Sequence, residues 1–205
     1  MIACANWAID NQKEDGSWDA FLYKNKDFPQ SSMAQGEGIS MLIRAHIVTK
    51  DERYIIAIRK AKDFMLKPIS CGGTTEYIDK DILLYEYIKC PVILNGWIFS
   101  LWGLYDYYKY FKCEETGMIL EKTLTSLKNK LPEFDIKYWS KYDKGKRLCS
   151  PFYHKLHIAQ LQVMYDLFGD SVYMEYADKW AKYQKSKIKT MRAFCKKAIQ
   201  KIFEK

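Results

Sequence analysis

Three short strings combine groups suited to moving protons: Glu86-Tyr87, Tyr142-Asp143 and Tyr153-His154. A phenol, with an ordinary pKa of about 10, is a serviceable acid, and it becomes a base when a nearby cation lowers that value. Lys144, Lys146 and Arg147 follow the second string closely, so positive charge lies beside it in sequence. Most of the 16 tyrosines of a helical chain serve packing, with the hydroxyl at a rim. These three stand apart because each lies where a loop runs into a helix. His154 and His157 are three apart on one presumed helix, the spacing of a metal pair, but no third ligand is spaced near them. They read as cleft or core histidines, and neither a metal nor a cofactor is expected.

Helices must position these strings. Residues 32–49 place Met33, Ile39, Leu42, Ile43 and Ala45 on one apolar face, and Asp51 then reads as the cap of a helix carrying Tyr54, Ile55, Ala57, Ile58, Ala61 and Phe64. Residues 93–111 are apolar nearly all round, as in a helix buried on several sides. Further helices are expected at 115–131, 151–168, 170–187 and 190–205. Two segments have a different grain. Residues 69–91 carry turn chemistry (Cys71-Gly72-Gly73-Thr74-Thr75) before the extended string Leu83-Leu84-Tyr85, and residues 134–150 alternate like a β-hairpin.

The helices repeat. Ala34-Gln35-Gly36 aligns with Leu94-Asn95-Gly96, bringing Ile39 onto Phe99, Ser40 onto Ser100 and Leu42 onto Trp102. An offset about twice as large brings Leu42 onto Leu161, Asp51 onto Asp170, Tyr54 onto Tyr173 and Phe64 onto Tyr183. The expected fold class is therefore all-α, an incomplete α/α barrel (toroid) of helix-pair repeats with short β-hairpin insertions. In such a toroid the loops preceding the inner helices gather at one end, and Tyr87, Tyr142 and Tyr153 are expected to converge there. Residues 1–187 form the expected α/α domain, and residues 188–205 a basic C-terminal helix or tail.

The chain of 205 residues is 48% hydrophobic and 28% charged, which suits one globular domain and excludes a disordered one. It has no membrane-spanning run and no signal-peptide pattern, so a bacterial cytoplasmic location is expected, with the Golgi lumen as the alternative if the chain is a fragment of an animal-type enzyme. The six cysteines lack CxxC pairing and read as free thiols. A net charge of +8 admits a polyanionic partner, although part of it is lysine on the C-terminal helix. No finger spacing, single-strand-binding motif or phosphate loop favours nucleic acid.

Several strings in order carry a resemblance: Ser32-Met33-Ala34-Gln35-Gly36 with Ile39-Ser40 and Arg44-Ala45; Tyr85-Glu86-Tyr87 with Pro91 and Leu94-Asn95-Gly96; Tyr142-Asp143; and Tyr153-His154 with His157 and Gln160-Leu161. Together they resemble the C-terminal domain of D-glucuronyl C5-epimerases, from about Asn6-Trp7 to about Trp180. The resemblance implies inversion at C5 of glucuronate in a heparosan or heparan-sulfate-type polymer, giving iduronate, by an enzyme that commonly dimerises. It implies catalytic roles for Glu86, Tyr87, Tyr142 and Tyr153. From the matching strings it implies substrate contacts at Gln35, Arg44, Asn95 and His154, with Lys144, Lys146 and Arg147 as candidates to neutralise the uronate carboxylate. Two positions depart from the family pattern. Ile88 stands where proline is common, and Gly145 stands where animal members carry an arginine.

The chemistry asks for such residues. Removing the C5 proton beside a carboxylate builds a second negative charge, so the site must neutralise the carboxylate and hold a base and an acid on opposite faces. A polysaccharide lyase removes the same proton and then expels the C4 oxygen, and a non-catalytic glycan-binding module would use the same cleft. A helical interaction domain without a sugar site is a further alternative. Family enzymes bring β-structured regions ahead of this domain, so the short chain reads as a fragment, a minimal dimeric enzyme or an inactive copy.

Overall fold

Several helices start where a side chain accepts a backbone N–H, and several stop at a left-handed residue. The computed structural model describes residues 1–203. In it the chain forms α1 (Ile2–Asp10), α2 (Ser32–Thr49), α3 (Glu52–Leu66), β1 (Thr75–Ile78), β2 (Asp81–Leu84), α4 (Leu94–Phe111), α5 (Glu114–Lys130), α6 (Pro151–Phe168), α7 (Ser171–Lys185) and α8 (Lys187–Phe203). Short 3-10 turns lie at Ile69–Cys71 and Leu131–Phe134. This is an all-α fold with one small antiparallel hairpin, in which Thr75 pairs with Leu84 and Ile78 with Asp81. The expected helix end at Lys205 lies outside the described residues. No described helix is long and apolar enough to cross a membrane, and the six cysteines are free thiols.

The Ser31 side chain accepts from the Ala34 N–H at the start of α2, and Ser150 does the same for Tyr153 at the start of α6. Each covers one of the backbone donors that a helix N-terminus leaves unpaired. Left-handed residues end both helices, Lys50 at φ 59° and Gly169 at φ 72°. Asp51 and Asp170 then cap α3 and α7 through the N–H groups of Arg53 and Val172. The two helical hairpins thus share their caps and their turn.

By internal contacts the described chain separates into two compact units. The first comprises residues 1–92 and 96–126, and the second residues 93–95 and 127–205. In the first unit α2 and α4 approach at Gly36 and Gly103, where a side chain on Gly103 would strike the Gly36 backbone. The Trp97 indole N–H donates to the Thr123 hydroxyl at 2.9 Å, which ties α4 to α5. Thr123 donates in turn to the Ile82 carbonyl at 2.9 Å, and the Ser126 hydroxyl accepts from the Ile82 N–H at 3.0 Å, seating β2 on α5. In the second unit Trp139 and Trp180 are fully buried beside Leu131, Phe134, Leu161 and Met164. Burial of each such large side chain stabilises the fold by about 1.5–3 kcal/mol.

The segment at 134–150 differs from the hairpin its alternation suggests. It makes single bridges, Asp135 with Ser140 and Lys141 with Leu148, instead of a continuous ladder. Lys137 at φ 67° breaks the extended run. Consecutive Tyr138 and Trp139 are both buried, so the two-residue alternation of a half-exposed strand does not hold there.

Candidate active site

The bridges in the 134–150 segment present Tyr142 to the first turn of α6. The Tyr142 N–H donates to the Arg147 carbonyl at 2.8 Å and its carbonyl accepts from the Leu94 N–H at 3.2 Å, so both sides of its backbone are fixed. Its ring meets that of Tyr153 edge to face, with centroids 4.9 Å apart. The Arg147 guanidinium lies 5.0 Å from the Tyr142 ring centroid, and both tyrosines are half-buried. Asp143 is buried and holds Arg147 twice: one oxygen pairs with Nε and the other accepts the backbone N–H at 3.3 Å. Cation, carboxylate and two phenols therefore form one group.

The other two cations are used differently. Lys144 pairs with Glu133 at 3.3 Å. Lys146 is exposed, and its carbonyl accepts from the Gln200 amide at 2.7 Å. Lys141, which the sequence did not single out, closes the turn by donating to the carbonyls of Lys144 and Gly145 at 3.3 and 3.0 Å.

Beneath Tyr153 lies a closed cluster. His154 stacks on Trp139, with centroids 3.7 Å apart and planes 13° from parallel. The Ser140 amide N–H donates to His154 Nδ1 at 3.2 Å, so the ring proton sits on Nε2, which donates to the Trp180 carbonyl at 3.1 Å. The Ser140 hydroxyl also bonds His154 Nδ1 at 2.8 Å and lies 3.3 Å from His157 Nδ1. Burial pushes the His154 imidazole down to about 4 and His157 down to about 3, the latter helped by the neighbouring imidazole. Both rings are neutral near pH 7 and have no exposed surface. Cys149, 3.5 Å from His157 Nδ1, is pushed up to about 12 by burial, which keeps it a thiol. His154 was expected to touch substrate, but in this structure it is an internal strut. Among the described residues no group of three His, Cys, Asp or Glu side chains is arranged to hold a metal ion.

Glu86 and Tyr87 belong to the first unit. Glu86 is 4% exposed, and a side chain on Gly96 would strike its carboxylate, so glycine at 96 keeps that space open. The Tyr87 ring lies 4.4 Å from that of Phe21, and the Lys24 ammonium sits 4.9 Å from its centroid. Gln35 differs from the expectation of a substrate contact. It is fully buried, and its amide donates to the carbonyls of Gly16 at 2.9 Å and Ala61 at 3.3 Å. Arg44 is exposed and pairs with Asp106 at 2.8 Å. Asn95, in the second unit, is 4% exposed, and its carbonyl accepts from Gln160 at 3.1 Å.

Asp143 is the residue of this group that sequence reasoning left without a role. The signal was present as an acid four positions before an arginine, but that spacing carries weight only once a turn brings the two ends together.

A family model described as "D-glucuronyl C5-epimerase C-terminus" matches residues 14–182. A D-glucuronyl C5-epimerase of Caenorhabditis elegans is 29% identical over 212 aligned residues, which cover 89% of this chain and 34% of the worm protein. Uncharacterized protein MJ1128 of Methanocaldococcus jannaschii is 28% identical over 165 residues, covering 78% of this chain and 54% of its own. The chain thus spans about a third to a half of the length of these curated relatives.

Proposed function

Because the chain belongs to the D-glucuronyl C5-epimerase C-terminal family, we propose that it inverts C5 of D-glucuronate residues within an anionic polysaccharide of the heparosan or heparan-sulfate type. The observation that carries the reading is the contact between Tyr142 and Tyr153 with Arg147 held over the first ring by Asp143.

In the proposed reaction a tyrosine takes the C5 proton and a second tyrosine delivers a proton to the opposite face. Tyr142, Tyr153 and Tyr87 with Glu86 are the candidates for these roles. The carbanion conjugates with the substrate carboxylate as a dianionic enolate, so a cation must meet that carboxylate before the proton leaves. Arg147 is the best placed of the three cations near the tyrosine pair. Its fork suits a carboxylate, and Asp143 fixes its plane, so less freedom is lost on binding. Lys144 and Lys146 serve the polymer's other charges as point contacts. A homodimer belongs to the same proposal, on the family's habit alone.

The test is hydrogen exchange at C5. The chain is incubated with heparosan in deuterated water, and the polymer is then hydrolysed and analysed for deuterium and iduronate. Wild-type protein is expected to give both, and Tyr153→Phe and Tyr142→Phe to lower exchange by about two to four orders of magnitude. Wild-type exchange rates in both variants would remove these residues from the reaction.

A further inference from the structure

Helix α8 bears an apolar stripe that the other described residues leave uncovered. Ile188, Met191, Phe194, Ile199, Ile202 and Phe203 are all exposed, Ile188 and Phe203 at 83% each. At about 100° per residue these side chains fall within one half of α8, opposite its buried Ala193. The helix is held from that buried side. Gln200 accepts from the Leu148 N–H at 3.0 Å and donates to the Lys146 carbonyl at 2.7 Å, and Lys189 lies 4.1 Å over Tyr183, while Arg192, placed beside the stripe, reaches 4.1 Å over the Tyr138 ring. These contacts fix which way the stripe points, and it points to solvent.

Charge narrows what can cover the stripe. Over its 17 residues α8 carries six cations and no acid. Lys201 borders one edge of the stripe and Lys196 the other, with Lys187 just inside the first edge, all three exposed. A second copy of the chain would bring the same apolar stripe but also the same lysines, and like charges would face each other. A bilayer containing acidic phospholipids offers both apolar depth and negative charge. An amphipathic helix with cations along the borders of its apolar face is built for that boundary, with the face sunk about 5–10 Å below the headgroups. The helix lies beyond residue 182, where the family match ends, so its chemistry is additional to that of the matched domain.

We propose that α8 is an interfacial membrane-binding helix. It lies flat on an anionic phospholipid surface through its apolar stripe and flanking lysines, and holds the rest of the second unit beside that surface. The inference does not depend on the reaction proposed above.

Flotation of the full chain with lipid vesicles tests it. Binding is expected to vesicles of phosphatidylcholine mixed with phosphatidylglycerol. It should be roughly tenfold or more weaker to phosphatidylcholine alone, and weaker again as salt is raised. The double variants Phe194→Ser with Ile202→Ser, and Lys196→Glu with Lys201→Glu, should each lose roughly tenfold or more in affinity. All four positions are exposed, so unfolding is not expected; circular dichroism and denaturant melts confirm that the fold is kept. No binding to either vesicle would overturn the proposal. So would loss only in the lysine variant, which would mark a general polyanion patch, or a concentration-dependent dimer that the Phe194→Ser, Ile202→Ser variant dissolves, which would assign the stripe to a second copy.

Discussion

The first and last helical hairpins, α2 with α3 and α6 with α7, are two copies of one construction, and they differ at a residue proposed to carry chemistry. Ser31 and Ser150 cap the first helix of each hairpin, left-handed residues end it, and Asp51 and Asp170 cap the second. The position after the first helical turn is filled by Gln35 in one copy and His154 in the other. Each is fully buried and donates to a carbonyl of the hairpin's second helix, Ala61 at 3.3 Å and Trp180 at 3.1 Å. The offset that carries Gln35 onto His154 also carries Ala61 onto Trp180 and Asp51 onto Asp170. The strut is therefore part of the scaffold, while the residue just before it is free to specialise. That residue is Ala34 in the first copy and Tyr153 in the last. In the Tyr-His string the histidine holds the helix, while the tyrosine before it meets Tyr142 edge to face.

The comparison can be broken at several points. The largest effect is expected at the specialised position, where Tyr153→Phe should lower C5 exchange by about two to four orders of magnitude while Ala34→Ser leaves it within about twofold. Comparable losses in both would mean that the two copies do not differ as described.

Removing the struts should cost stability in both copies. His154→Ala deletes a stacked ring and removes the acceptor of the buried Ser140 N–H, at about 3–5 kcal/mol, and Gln35→Ala costs about 2–3 kcal/mol. Denaturant melts check both. His154→Gln should recover part of the loss, since the amide of Gln35 already does this work in the first copy. No recovery would show that the two struts are not interchangeable.

Acid should separate the copies next. An unfolded histidine titrates at about 6.5, but His154 and His157 are held down to about 4 and about 3 by burial. The unfolded state therefore binds more protons between those values. The stabilisation is whole above about 6.5 and is lost as pH falls toward 4 and 3, by at most about 1.4 kcal/mol per pH unit for each ring. Gln35 has no such dependence. His154→Gln should flatten the acid limb of the stability curve, and an unchanged limb would place the acid sensitivity elsewhere. The smallest effect is expected at the caps, where Ser31→Ala and Ser150→Ala should each cost about 1 kcal/mol.

Much of this was readable in the sequence because the signals were strong and local. Residues 32–49 and 151–168 were bounded correctly at both ends, since serine and Ser-Pro mark the starts, and a capping aspartate and a glycine mark the stops. α1 escaped notice because nine residues starting after Met1, without a side-chain cap, leave little periodicity to read. α8 starts three residues before the expected position because Ser186, not the region of Thr190, supplies the first hydroxyl to its N-terminus. Of the three tyrosines expected to converge, Tyr142 meets Tyr153, and Tyr87 belongs to the other unit. What could not be read was the separate use of Lys144, Lys146 and Arg147. Their neighbours Glu133, Gln200 and Asp143 are chosen by the turn at 141–147, and a left-handed Lys137 sets how that segment runs.

The most direct test of the central claim is proton exchange by the unmodified chain. Incubated with heparosan in deuterated water, it is expected to place deuterium at C5 of uronate and to yield iduronate without shortening the polymer. An unsaturated uronate absorbing in the ultraviolet, or bound heparosan with no deuterium at C5 at high protein concentration, would contradict it.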